Sequence, residues 1–138
     1  MKTVLFICSG NTCRSPMAMA VARTYKNIYA FSRGISAADG MPLSGCAKTA
    51  LELAKIPVPP HKSRMLRKED VARADIILVM TEVHLRDMKV VYPEAAGKTF
   101  MLNPLTDVID PFGDELEPYA KCLEKIQDWV NPWLVDKK

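Results

Sequence analysis

The sequence of 138 residues contains no apolar run that approaches the ~20 residues of a membrane-spanning helix. Its first residues, one lysine followed by a short apolar stretch at positions 3–7, lack the long apolar region and the cleavage site of a signal peptide. Internal repeats and linker-like segments are also absent. We therefore expect one cytoplasmic domain that spans residues 1–138 and does not use a membrane as partner.

The chain also lacks a concentrated charge of either sign. The formal net charge is only +3, and no tract of lysines or arginines gathers it. This small, dispersed charge argues against nucleic acid as the main partner and is better suited to a small anionic group. Four cysteines in a chain without an export signal are expected to be thiols, since disulfide frameworks belong to oxidising compartments.

Short runs of β-forming residues alternate with helical patterns along the chain. We predict strands at residues 2–8, 29–32, 75–80 and 98–102, and helices that begin at Ser15, Ser44, Lys68, Thr81 and Pro118. This order indicates a single three-layer α/β domain, in which a four-stranded parallel sheet carries helices on both faces. Ligands bind beyond the carboxyl ends of the strands in such sheets, which favours the turn between Cys8 and Ser15.

The turn after the first strand has the composition of a phosphate-binding loop. Cys8 and Arg14 are separated by five residues and lie between a strand and a helix N-terminus. Loop amides and the helix dipole attract an anion, a guanidinium can hold two phosphoryl oxygens, and the same field stabilises a thiolate. Gly10 and Asn11 are expected to provide unusual backbone angles. The Gly-Lys-Ser/Thr ending of a nucleotide-binding loop is missing.

Residues 4–18 closely resemble the N-terminal signature of the low-molecular-weight protein tyrosine phosphatases. Residues 110–112, Asp-Pro-Phe, match the second motif of that family, which carries the general acid. Residues 61–64 and 74–80 resemble further family segments in the right order. The resemblance extends from about residue 2 to residue 130 and implies the family's fold and its phosphatase activity, with no metal or cofactor.

The resemblance implies a role for each residue that matches a motif. Cys8 would attack phosphorus, while Arg14 and the loop amides hold the phosphoryl oxygens. Asp110 would protonate the leaving group and then activate water, and Ser15 would donate a hydrogen bond to the Cys8 thiolate. The whole phosphate-binding loop would comprise, beside Cys8 and Arg14, the residues Ser9, Gly10, Asn11, Thr12, Cys13 and Ser15.

Other positions receive supporting roles. Asn11, Ser32 and His61 would form the network that holds the loop. Cys13 would protect an oxidised Cys8 by forming a disulfide with it. Asp107 and Asp114 flank Asp110 and are expected to be solvated acids, whereas Cys46 and Cys122 lie on apolar helix faces and are expected in the core.

The substrate is open between phosphotyrosine and phosphoarginine in proteins. Thr12 and Phe112 resemble the protein arginine phosphatases of the same family, because a small polar residue leaves room for a guanidinium and phenylalanine supplies an apolar wall. An arsenate reductase is disfavoured because residues 81–98 contain no cysteine. A non-catalytic phosphoprotein-binding module would not need Asp110. The oligomeric state is left open.

Overall fold

One parallel sheet forms the centre of the molecule. The computed structural model describes residues 1–111, 113 and 115–135. Its strands are β1 (Lys2–Cys8), β2 (Ile28–Gly34), β3 (Ile76–Val79) and β4 (Thr99–Met101), and all of them run parallel in the order β2-β1-β3-β4. The winding direction changes between β1 and β3, so the carboxyl end of β1 opens at the position where α/β sheets bind ligands.

Helices cover both faces of this sheet. They are α1 (Arg14–Ala22), α2 (Gly45–Leu53), α3 (Lys68–Arg73), α4 (Glu82–Val91) and α5 (Leu116–Leu134), with a 3₁₀ helix at Pro93–Lys98. Alternate residues of β1 enter two separate cores: Val4 and Phe6 pack with α1, α2 and α5, whereas Leu5 and Ile7 pack with α3 and α4. The predicted three-layer α/β architecture is confirmed.

Two of the predicted helix caps are confirmed and one is wrong. The side chains of Ser44 and Thr81 accept hydrogen bonds from the backbone at the starts of α2 and α4. Helix α1 instead begins at Arg14 after Cys13, without a side-chain cap, because the hydroxyl of Ser15 is engaged inside the loop. None of the described helices is long and apolar enough to cross a membrane.

Candidate active site at the carboxyl end of β1

Cys8 is the last residue of the central strand and is almost completely buried. Its Sγ atom lies 2.9 Å from the hydroxyl oxygen of Ser15, in the first turn of α1. The loop between them therefore brings a thiol and a hydroxyl together at a helix N-terminus. A hydroxyl at this distance can donate a hydrogen bond to a thiolate, which stabilises the charged form of the sulfur.

The side chain of Asn11 holds the loop in place. It is fully buried and has a backbone φ of 58°, a left-handed conformation that asparagine tolerates better than most residues. Its Nδ2 atom donates to the hydroxyls of Ser15 and Ser32 at 3.0 Å each, and its Oδ1 atom accepts from the backbone N–H of Arg64 at 2.9 Å. The structure thus brings Asn11 and Ser32 together.

His61 joins the same network from the opposite side of the loop. Its Nε2 atom donates to the backbone carbonyl of Asn11 at 2.7 Å. Burial, together with the nearby charges of Arg33 and Arg23, lowers the pKa of His61 below its ordinary value, while the bond to Asn11 opposes this shift. The guanidinium of Arg33 is held by Asp70 at 3.0 Å and also donates to the backbone carbonyl of Ser32 at 2.7 Å.

The end of β2 approaches the loop so closely that a side chain does not fit there. A Cβ atom on Gly34 would lie 2.6 Å from the backbone oxygen of Ser9 and 2.5 Å from the Cβ of Ala37. The prediction of an unusual backbone angle is confirmed for Asn11 but is wrong for Gly10. A Cβ at Gly10 would meet only ordinary contacts, and Gly10 has no positive φ.

Arg14 connects the phosphate-binding loop to the loop that carries Asp110. It is buried, its Nη1 atom donates to the carbonyl of Val108 at 3.1 Å, and its Nε atom lies 3.5 Å from Oδ1 of Asp110. The Asp110 side chain is 60% exposed, so the carboxyl group faces solvent while it stays beside the guanidinium. The structure therefore brings the proposed general acid to the anion-binding arginine.

Asp107 is more than a solvated acid. Its Oδ1 atom accepts a hydrogen bond of 2.8 Å from the backbone N–H of Glu82, the first residue of α4. The backbone N–H of Val108 in turn donates to the carbonyl of Met80 at 2.8 Å. These two bonds anchor the loop that carries Asp110 to the segment that joins β3 to α4. Nothing in the sequence around Asp107 indicates this contact, because the residue only follows a strand by several positions.

His84 is a site residue that sequence reasoning missed. It lies in the first turn of α4, is 4% exposed, and its Nε2 atom lies 2.8 Å from the hydroxyl oxygen of Ser9. Burial and the charge of Arg14 lower the pKa of His84 to about 4. The sequence signal that could have found it is a histidine three residues after the cap of a helix that follows a central strand.

The remaining predicted residues occupy the rim and the core. Thr12 is half-buried, and within the described chain its hydroxyl has no hydrogen-bond partner. Cys13 is buried within the loop, and burial raises the pKa of its thiol far above the usual range. Cys122 is buried as predicted, but Cys46 is only partly buried. Phe112 and Asp114 lie outside the described residues.

Comparison with known proteins decides the family. Residues 3–138 match the family model "Low molecular weight phosphotyrosine protein phosphatase". The chain belongs to this family. A probable low-molecular-weight protein-tyrosine-phosphatase, EpsP of Ralstonia nicotianae, is 34% identical over 96% of this chain and 94% of its own length. A protein-arginine-phosphatase of Geobacillus stearothermophilus is 37% identical over 93% of this chain and 90% of its own length.

The fold of this phosphatase is similar to that of solved relatives. The YwlE arginine phosphatase from Geobacillus stearothermophilus superposes with a TM-score of 0.91 at 33% identity, covering 97% of this chain and 91% of that structure. The resemblance inferred from two short motifs is therefore confirmed over nearly the whole chain. So is the expectation of a hydrolase of the low-molecular-weight protein-tyrosine-phosphatase type.

Proposed function

We propose that this phosphatase uses Cys8 as nucleophile, Arg14 as phosphoryl-binding group and Asp110 as general acid and base, and that its preferred substrate is phosphoarginine in proteins. The supporting observation is that Arg14 belongs to the same loop as Cys8 and lies beside Asp110. Arg14 ends the loop that begins at Cys8, and its guanidinium lies 3.5 Å from the Asp110 carboxylate.

In the first half of the reaction the Cys8 thiolate attacks phosphorus and forms a P–S bond. The bond from phosphorus to the leaving oxygen or nitrogen breaks, and Asp110 gives that atom its proton. Arg14 and the loop amides stabilise the charge on the transferred phosphoryl oxygens. Ser15, 2.9 Å from the sulfur, stabilises the thiolate before attack.

In the second half the ionised Asp110 takes a proton from a water molecule, and that water attacks the phosphocysteine. The P–S bond breaks, which releases inorganic phosphate and returns Cys8 as a thiolate. The exposed position of the Asp110 carboxyl gives water access to it, and the contact with Arg14 keeps it at the loop. The network around Asn11 holds the loop in one geometry through both halves.

Thr12 supports phosphoarginine as the substrate. The residue is half-buried in the anion-binding loop, and its hydroxyl has no partner within the described chain, so it can accept a hydrogen bond from a guanidinium. A relative that is 37% identical is named a protein-arginine-phosphatase. Phosphotyrosine is the second candidate, because relatives of similar identity are named tyrosine phosphatases.

The catalytic assignment can be tested with two neighbouring acids as a matched pair. Cys8→Ser should abolish turnover, and Asp110→Asn should lower kcat on a phosphopeptide by ~10²–10⁴-fold. Asp107→Asn is the control, since an asparagine oxygen can still accept from Glu82, and it should retain near wild-type kcat. Full activity in Cys8→Ser, or equal losses in the two aspartate variants, would contradict the assignment.

The substrate assignment needs matched peptides that differ only in the phosphorylated residue. We expect a higher kcat/KM on phosphoarginine than on phosphotyrosine, and a reversal of that preference in Thr12→Ile. Thr12→Ser, which retains a hydroxyl, should keep the wild-type preference. A wild-type preference for phosphotyrosine would refute the substrate assignment, and an unchanged ratio in Thr12→Ile would remove Thr12 as its cause.

A further inference from the structure

The contact between His84 and Ser9 joins α4 to the residue that directly follows Cys8. The Nε2 atom of His84 lies 2.8 Å from the Ser9 hydroxyl oxygen, and the imidazole is almost completely buried. The backbone N–H of His84 donates to the hydroxyl of Thr81 at 3.1 Å, which fixes the first turn of α4. The ring is therefore held on a rigid element rather than on a loop.

The proton on the imidazole can be assigned from its surroundings. The other ring nitrogen, Nδ1, is buried and has no hydrogen-bond partner among the described residues. A buried N–H without an acceptor is rarer in proteins than a buried acceptor without a donor. The proton of the neutral ring therefore belongs on Nε2, and His84 donates to the oxygen of Ser9.

This assignment leaves the hydroxyl proton of Ser9 unused. Ser9 is half-buried, and its hydroxyl has no hydrogen-bond partner other than His84 within the described chain. Because its oxygen accepts from His84, its own O–H must donate in another direction. Ser9 lies in the anion-binding loop next to the nucleophile, so a bound phosphoryl oxygen is the acceptor that this position offers.

We propose that His84 is a positioning residue, which turns the hydroxyl of Ser9 so that it donates to the phosphoryl group bound in the loop. Ser9 is then a further donor to the transferred group, in addition to Arg14 and the loop amides. This inference rests on the proposed function, because it needs the phosphoryl group to bind beside Cys8. Helix α4 thereby takes part in the chemistry, although it lies far from the loop in sequence.

The charges around His84 are consistent with a neutral ring. Burial is the larger cause that disfavours a second proton, and the charge of Arg14 adds to it, while Asp87, Asp107 and Asp110 act in the opposite direction. The ring therefore carries one proton at neutral pH. The start of α4 also holds the acid-bearing loop through Asp107, which links both loops to one helix turn.

A double-mutant cycle tests the proposal in the enzyme of 138 residues. Ser9→Ala and His84→Leu should each lower kcat/KM by ~10-fold, the loss of about one hydrogen bond, and raise the inhibition constant of vanadate to a similar extent. The double variant should lose no more than either single variant, because both remove the same donor. His84→Gln, whose amide N–H can replace the Nε2 donor, should recover most of the activity.

Two controls keep this test separate from the folding of the variants and from the proposed function. The ¹⁵N spectrum of the wild-type imidazole should show a protonated Nε2 and a bare Nδ1, and the reverse pattern would overturn the inference without any variant. Additive losses in the cycle, or an unchanged vanadate affinity in a folded Ser9→Ala enzyme, would also overturn it. An active Cys8→Ser enzyme would instead refute the proposed function.

Discussion

Asn11 and Ser15 are joined by a hydrogen bond of 3.0 Å between the side-chain amide nitrogen and the hydroxyl oxygen. The same hydroxyl lies 2.9 Å from the sulfur of Cys8. Asn11 therefore determines the position of the group that faces the nucleophile, although it does not contact the nucleophile itself. The precision of the loop depends on a residue held in the left-handed backbone region and buried among polar partners.

The first prediction concerns this buried amide. Asn11→Ala removes three side-chain hydrogen bonds and leaves the partners unsatisfied, so the free energy of unfolding should fall by about 3 kcal/mol. Asn27→Ala is the matched control, because Asn27 also has a positive φ of 62° but is exposed. That variant should lose only about 1 kcal/mol. Urea unfolding measures both, and equal losses would show that backbone strain alone explains the effect.

The second prediction concerns the close approach of Gly34 to the loop. Gly34→Ala places a methyl group 2.6 Å from the Ser9 backbone oxygen, so we expect a loss of about 2 kcal/mol in the free energy of unfolding and a lower kcat. Gly45→Ala puts the same methyl group into open space at the start of α2 and should be neutral or stabilising. Thermal unfolding and phosphatase assays on both variants check this. Equal stability of the two would contradict the packing described above.

The third prediction is a pH dependence of stability. His84 has a pKa of about 4 in the folded state, below its ordinary value of 6.5, so between these pH values the unfolded chain binds more protons. The free energy of unfolding should therefore fall as the pH drops from 6.5 to 4, by about 3 kcal/mol at most from this residue. His61 is shifted in the same direction.

Urea unfolding at several pH values isolates the contribution of His84. Carboxylates that titrate in the same range are present in both wild type and His84→Gln. The difference between the two curves of unfolding free energy against pH therefore reports the contribution of the histidine. We expect the His84→Gln curve to be flatter between pH 6.5 and 4. Parallel curves would show that His84 is protonated in the folded protein as readily as in the unfolded chain.

The fourth prediction concerns oxidation. Peroxide converts the Cys8 thiolate to a sulfenic acid, and attack by the sulfur of Cys13 with loss of water forms a disulfide that a thiol reductant can cleave. Because burial raises the pKa of the Cys13 thiol, we expect the disulfide to form slowly. Wild type and Cys46→Ser should regain activity after reduction. In Cys13→Ser, a second equivalent of peroxide should oxidise the sulfenic acid of Cys8 to a sulfinic acid, which a thiol does not reduce, so activity should not return. Irreversible loss in the wild type would refute the protective role.

Much of the fold and the centre of the site could be predicted from local sequence patterns. The apolar run before Cys8 predicts a buried strand because its neighbours in sequence are also its neighbours in the strand. Cys8 and Arg14 are recognisable because a single loop sets their separation. The left-handed backbone of Asn11 was expected for the same reason, since backbone angles are a local property of the residue.

The contacts that could not be predicted join residues far apart in sequence. Ser9 meets His84 across 75 positions because β1 and β3 are adjacent, and their following segments converge. Asp107 meets Glu82 across 25 positions because β4 lies next to β3. The requirement for glycine at position 34 likewise depends on the register that pairs Cys8 with Gly34. Periodicity predicts that strands exist, but side-chain packing between distant segments decides which polar groups meet.

The central claim is that the phosphoryl group is transferred from the substrate to the sulfur of Cys8. Wild type and Asp110→Asn should be quenched with denaturant during turnover of a ³²P-labelled phosphopeptide, and the labelled protein mapped by mass spectrometry. We expect at most one phosphoryl group per chain, on the Cys8 peptide, and a larger labelled fraction in Asp110→Asn because hydrolysis of the intermediate lacks its base. Turnover without any label on Cys8, or label on another residue, would contradict it.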